Sequence, residues 1–138
     1  MGLTTTTWNR ETSKYIGLHL DSFYGLPLEQ RHLAPNRLCL NIGGEKRFFV
    51  FINLTLRQMH EILLLHRSAG TLLTWDVSSV GQVFMQRFPH YPAIRLVVRP
   101  GEAYIAPTEN LIHDSTTEDK STPDVAFTLL GAFAPCVH

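Results

Sequence analysis

The sequence predicts a mainly β fold, a jelly-roll barrel with one or two short helices packed outside it, and three observations carry that reading. Short apolar runs rich in Val, Ile, Phe and Tyr alternate with Gly- and Pro-containing turns along most of the chain. One stretch near the middle switches to helical spacing. From Ala93 onward the chain returns to short strands. Several strands interrupted by a helical insertion suit a closed or two-sheet β architecture, whose interior is free to hold a ligand or metal.

Each element follows from local pattern. Residues 1–14 read as a loosely ordered N-terminal segment of a single domain spanning 1–138. The first strand is expected over 15–20, followed by a loop over 21–36 that carries Gly25, Pro27 and Pro35. In RLCLNIGGEKRFFVFINL, apolar runs over 38–42 and 48–52 flank Gly43-Gly44, which predicts a tight hairpin through a type I′ turn. Leu56, Met59, Ile62, Leu63 and Leu64 then recur at helical spacing, with Thr55 placed to cap the helix and Gly70 to end it. A second short helix is expected over 82–88, stopped by Pro89. Strands are predicted over 93–98, 103–107, 110–114 and 124–133, with an exposed polar loop over 115–123.

Composition narrows the function classes. At 138 residues the chain is long enough for one sizeable core. Twelve basic and twelve acidic side chains cancel, so no net field favours nucleic acid or an anionic membrane. No run approaches the roughly 20 apolar residues of a membrane helix. Two cysteines, Cys39 in a strand-like run and Cys136 near the C-terminus, suit a reduced, cytoplasmic protein. The expected partner is a small molecule, and a homodimer could complete the walls of a pocket in so short a chain.

The chemistry begins at His19-Leu20-Asp21. Residues i and i+2 of a strand share a face, so an imidazole and a carboxylate converge. A third ligand from a distant strand would complete a two-histidine, one-carboxylate facial triad, which leaves coordination positions open on one side of a metal ion. Downstream, PGEAYIAPTENLIHD puts His113 at the end of a short apolar segment after a turn and a strand. His32 and His90 could each replace a member of the set. His60 and His66, six apart on the predicted helix, are not an i, i+4 metal pair.

These two motifs together resemble the 2-oxoglutarate/Fe(II)-dependent oxygenases, whose cupin-like fold is a double-stranded β-helix. The resemblance runs from about Tyr15 to Phe133. It rests on the proximal His-x-Asp, the separation of about ninety residues, and Pro100-Gly101-Glu102 before the segment that ends in His113. It implies Fe(II) bound by His19, Asp21 and His113 as both metal ligands and catalytic centre. It further implies 2-oxoglutarate as co-substrate and hydroxylation of a small or amino-acid-like molecule, with release of succinate and carbon dioxide. Many members place an Arg on the strand after the distal histidine to grip the far carboxylate of 2-oxoglutarate. Here DVAFTLLGAF has neither Arg nor Lys. Other members use a Lys on the strand after His-x-Asp, and GGEKRFFVF looks similar, which makes Lys46 the leading anchor. Arg37 and Arg95 compete with it. By alternation Arg37, Cys39 and Asn41 share one strand face, so Arg37 and Asn41 could both line the pocket. Tyr104 and Asn110 are read as pocket lining or support for the metal histidine. Two alternatives stay open: a cupin-like metal protein that does not use 2-oxoglutarate, and a β-rich interaction domain without metal.

Overall fold

A computed structural model describes residues 8–9, 13–15, 17–66, 77–116 and 118–133. The expected helix stop at Gly70, Cys136 and most of the 1–14 segment lie outside them. The protein is mainly β. A two-stranded antiparallel pair, β1 (Trp8–Asn9) and β2 (Lys14–Tyr15), precedes a 3-10 helix over Leu28–Leu33. There follow β3 (Asn36–Asn41), β4 (Arg47–Thr55), helices α1 (Leu56–Leu65) and α2 (Val77–Arg87), then β5 (Ile94–Val98), β6 (Ala103–Ala106), β7 (Leu111–Thr116) and β8 (Ala126–Gly131). The last six strands form two antiparallel three-stranded sheets, ordered β5-β4-β7 and β6-β3-β8. Among the described residues these sheets do not close into one hydrogen-bonded ring.

The expected hairpin at Gly43-Gly44 is not formed. β3 pairs with β6 and β8, whereas β4 pairs with β5 and β7, so the two glycines carry the chain from one sheet to the other. Neither adopts the positive φ that a type I′ turn requires. Gly43 instead serves close approach: a Cβ there would lie 3.3 Å from Asn41 Oδ1 and 3.5 Å from the Val125 backbone. Two adjacent apolar runs around a Gly pair look like a hairpin locally. Partner choice, however, is set by which faces bury against which, and here each run has a whole sheet to join.

The helices follow the expected physics more closely. Thr55 and Gln58 form a reciprocal capping box at the start of α1, the side chain of each meeting the other's backbone N–H. Leu56, Met59 and Leu63 recur on one face and are buried with Ile52, Val80, Phe84 and Ile112, which covers the outer side of the β5-β4-β7 sheet. Helix α2 begins about a turn and a half earlier than expected, so that Val80 joins Phe84 in that core. The inner faces of the two sheets meet through Phe49, Phe51, Tyr104, Ala106 and Leu111. No helix among the described residues is long and apolar enough to cross a membrane.

Candidate metal centre

β7 is buried along nearly its whole length, and His113 sits in its middle, paired in register with Phe51 of β4. The proximal motif is anchored to the free edge of the same strand. His19 and His113 exchange both backbone hydrogen bonds at 2.9 Å, and the Asp21 N–H donates to the Thr108 carbonyl at 3.1 Å. That single bridge, not the longer strand expected over 15–20, is what sets the histidines opposite each other, with ring centroids 4.6 Å apart. Ligand atoms of His19, Asp21 and His113 all fall within 4.8 Å of one another, the one such cluster of three or more potential ligands among the described residues. His32 and His90 are exposed and take no part.

The donor set could hold a cation. His19 Nδ1 lies 2.7 Å from the Gly17 carbonyl and His113 Nδ1 lies 3.0 Å from the Leu111 carbonyl. Each Nδ1 therefore carries the proton, and each Nε2 keeps its lone pair for a ligand. His19 Nε2 is 3.7 Å from Asp21 Oδ1 and His113 Nε2 is 3.6 Å from Asp21 Oδ2, which is close enough to share an ion. His113 Nε2 is buried with no hydrogen-bond partner, while Asp21 Oδ2, also buried, has the Arg37 guanidinium as its ionic contact. A buried polar atom without a partner costs about 1–3 kcal/mol, and a divalent ion would satisfy His113 Nε2.

Electrostatics divide the two histidines. Burial depresses the His113 imidazole to about 4, overriding its bond to the Leu111 carbonyl and the nearby Asp21 charge. Burial also pulls on His19, but contact with Asp21 and the Gly17 carbonyl outweigh it and leave its pKa above 6.5. For Asp21, burial works to raise the carboxyl. His19, Thr108, His113 and Arg37 overcome that and hold it below the usual value.

The expected co-substrate residues separate. Arg37 reaches the centre: its Nη2 lies 2.7 Å from Asp21 Oδ2 as an ionic contact, and its guanidinium sits 5.6 Å from the Phe23 ring. Lys46 is not brought to the ligands. It is exposed, its ammonium 5.3 Å from the Phe48 ring, on the opposite face of the β4 line from Phe49 and Phe51. Arg95 is likewise outside, bonded to Glu118 and stacked over Phe48 at 4.2 Å. Asn41 does share a face with Arg37 but is committed to the fold. Its amide donates to the Glu45 and Val98 carbonyls, both at 2.9 Å, and its Oδ1 accepts from Gly43 at 3.0 Å. Tyr104 lines the inter-sheet space, stacked 4.2 Å from Phe49, whose ring lies 5.7 Å from that of His113. Asn110 is buried and its carbonyl receives the Leu56 N–H, which fastens the start of α1.

Three residues of consequence escape a reading of the sequence alone. Arg31 and Glu109 form a buried ion pair, with Arg31 Nη1 3.2 Å from the Glu109 carbonyl and 3.4 Å from its carboxylate. The same carboxylate accepts the Tyr24 N–H, so the pair clamps the loop after Asp21 to the turn before β7. Residues 78 positions apart give no local sign of this. Arg47 is buried on the inner face of β4 and reaches Cys39 Sγ at 3.1 Å, Asp124 at 3.1 Å and Ser115 Oγ at 3.4 Å. Alternation along β4, with Phe49 and Phe51 inward, is the signal that separates it from its neighbour Lys46.

Two cavities flank the centre. One of about 330 Å³ is lined by Phe49, Phe51, Tyr104, Ala106 and Leu111 on the inner side. A cleft of about 770 Å³ lies on the helix side, between Leu18, His19, Leu20, Arg31, Met85 and Ile112. Of the three residues of the set only His19 borders a cavity, the larger cleft; the smaller cavity approaches the centre through Phe49, whose ring lies 5.7 Å from that of His113. Compared with known protein families, curated proteins and solved structures, the chain matches none.

Proposed function

We propose that the protein is a mononuclear non-haem Fe(II) oxygenase of a small molecule, using 2-oxoglutarate as co-substrate. The observation that carries this reading is the buried, partnerless His113 Nε2 facing a carboxylate and a second imidazole. Two neutral imidazoles and one carboxylate without thiolates form the donor set that suits a redox-active divalent iron with open positions. The strand order supports a double-stranded β-helix. From β3 to β8 the chain crosses between sheets four times, and the His19 bridge adds a fourth member beside β7.

Bound Fe(II) would supply the oxygen chemistry that couples decarboxylation of the 2-oxo acid to substrate hydroxylation. The remaining roles belong to the chain. Gly17 and Leu111 fix the imidazole tautomers, and Phe49, Phe51 and Tyr104 keep water from the inner side. Arg37 holds the Asp21 oxygen that His113 faces. Of the basic residues, Arg47 is the inward one suited to grip a far carboxylate. Its contact with Ser115, two residues along β7 from His113, sets the guanidinium roughly 7 Å along the strand, about the length of a five-carbon diacid. The cleft of about 770 Å³ that His19 borders is of a size for a small substrate.

One observation favours a second reading, a cupin-like metal protein that does not use 2-oxoglutarate. β8 carries no cation, Lys46 faces away, and both Arg37 and Arg47 already contact carboxylates. Anaerobic addition of Fe(II) and then 2-oxoglutarate distinguishes the two. A visible metal-to-ligand charge-transfer band, absent with succinate, is the result expected of the oxygenase. Iron binding without that band overturns the co-substrate, and no iron binding overturns the metal centre.

A further inference from the structure

The two sheets differ on their outer sides. Helices cover one. Among the described residues, no element covers the outer face of β6-β3-β8. Register places Leu38 opposite both Ile105 and Leu129, and Leu40 opposite Ala103 and Phe127, so these six side chains form one cross-strand surface. Ile42 and Val125 extend it at the strand ends. No position on this face carries a charge; with Asn36 and Gly131 it is otherwise apolar. Ile42 is 56% exposed, Ile105 53%, Phe127 49%, Leu129 48% and Val125 44%.

We propose that this face is the interface of a homodimer, packed sheet to sheet on a second copy of the chain about a two-fold axis. Area supports it. Five such side chains, each presenting roughly 150–200 Å² when fully exposed, leave about 450 Å² of apolar surface open. That falls within the roughly 300–600 Å² of the largest patch on a typical monomer, a patch that is often functional. A standard interface covers about 800 Å² per partner, and in homodimers about 65% of it is apolar, or roughly 520 Å². The open surface is therefore close to what one such interface consumes once half-buried Leu38 and Leu40 are counted. Charge supports the same occupant. An isologous interface brings each residue near its own copy, so an uncharged face pairs with itself without like-charge repulsion. A charged protein partner or an anionic membrane would find nothing here to pair with. Antiparallel sheets stack face to face about 10 Å apart with side chains interleaved, and the large residues spread over three strands allow that. The proposal concerns the outer side of one sheet and is independent of the metal reading.

Light scattering on the full chain tests it. At about 50 μM, within the affinity range of interfaces this size, the wild type is expected at twice 15.7 kDa. Phe127→Lys and, on a different strand, Ile105→Lys should each return the mass to 15.7 kDa with an unchanged far-ultraviolet spectrum. Leu65→Lys, which charges an exposed residue on α1, should leave the dimer intact. A wild type of single-chain mass overturns the proposal, as does a dimer that survives both face variants or is lost in Leu65→Lys. A monomer that floats with phosphatidylcholine vesicles overturns it too, and gives the face to lipid.

Discussion

The two halves of the candidate metal centre are built in different ways. His113 lies mid-strand in β7, laddered to β4 and backed by Ile112 in the helix-side core. His19 and Asp21 lie on a segment that meets the sheet through one bridge and one bond to Thr108. The distal half inherits its rigidity from the core. The proximal half is held from outside, by the Arg31–Glu109 pair behind it and the Arg37 contact beside it. The difference teaches that a three-residue site can rest on two unequal supports, and that each can be removed separately.

The largest effect is expected at the external clamp. Glu109→Ala leaves Arg31 buried and unpaired, and loss of one partner of a buried pair costs about 3–5 kcal/mol. Urea denaturation should show that loss, and metal affinity should fall with it because the loop after Asp21 is released. A cost below about 1 kcal/mol, the level of an exposed pair, would show that the clamp does not hold the proximal half.

Next in size is the proposed distal ligand. His113→Ala should weaken Co(II) or Zn(II) binding at least about 100-fold, near 3 kcal/mol, in a calorimetric titration. Thermal stability of the metal-free chain should change less, because β7 keeps its ladder and Ile112 keeps its packing. Equal losses in binding and in stability would mean that His113 acts as a core residue and not as a ligand.

The sequence made this inequality only partly legible. Capping at Thr55 and the buried face of α1 depend on contacts within one or two turns, and the sequence expresses them directly. That His19 and Asp21 converge was accessible through spacing, since i and i+2 residues of an extended segment share a side, whereas His113 came in only through the family resemblance. Sheet partners were not accessible, because the apolar runs around Gly43-Gly44 bury well in either of two sheets. The clamp was invisible for another reason. A buried Arg in a loop and a buried Glu in a turn look like solvated charges until the fold joins them. Which of Lys46 and Arg47 faces inward turned on a one-residue phase, since both alternation classes of β4 carry phenylalanines.

The smallest effect sharpens the comparison by pH. A metal ligand must be an unprotonated imidazole. His113, depressed to about 4 by burial, is already neutral at any pH well above that value, so binding there releases no proton. His19 has a pKa raised above 6.5, so at and below that pH the metal-free protein holds a proton that binding must expel. Asp21, held low, stays ionised throughout. Affinity should therefore fall as pH drops through the His19 value, by about tenfold per pH unit for one expelled proton. The slope should steepen toward two protons only near pH 4. Zn(II) titrations between pH 5 and 7.5 in buffers of different ionisation enthalpy would count the protons directly. A release of two protons at pH 5.5 would mean that the distal imidazole titrates with the proximal one, and that the halves are alike. A release of none would mean that His19 is not a ligand, and the weaker support would then carry Asp21 alone.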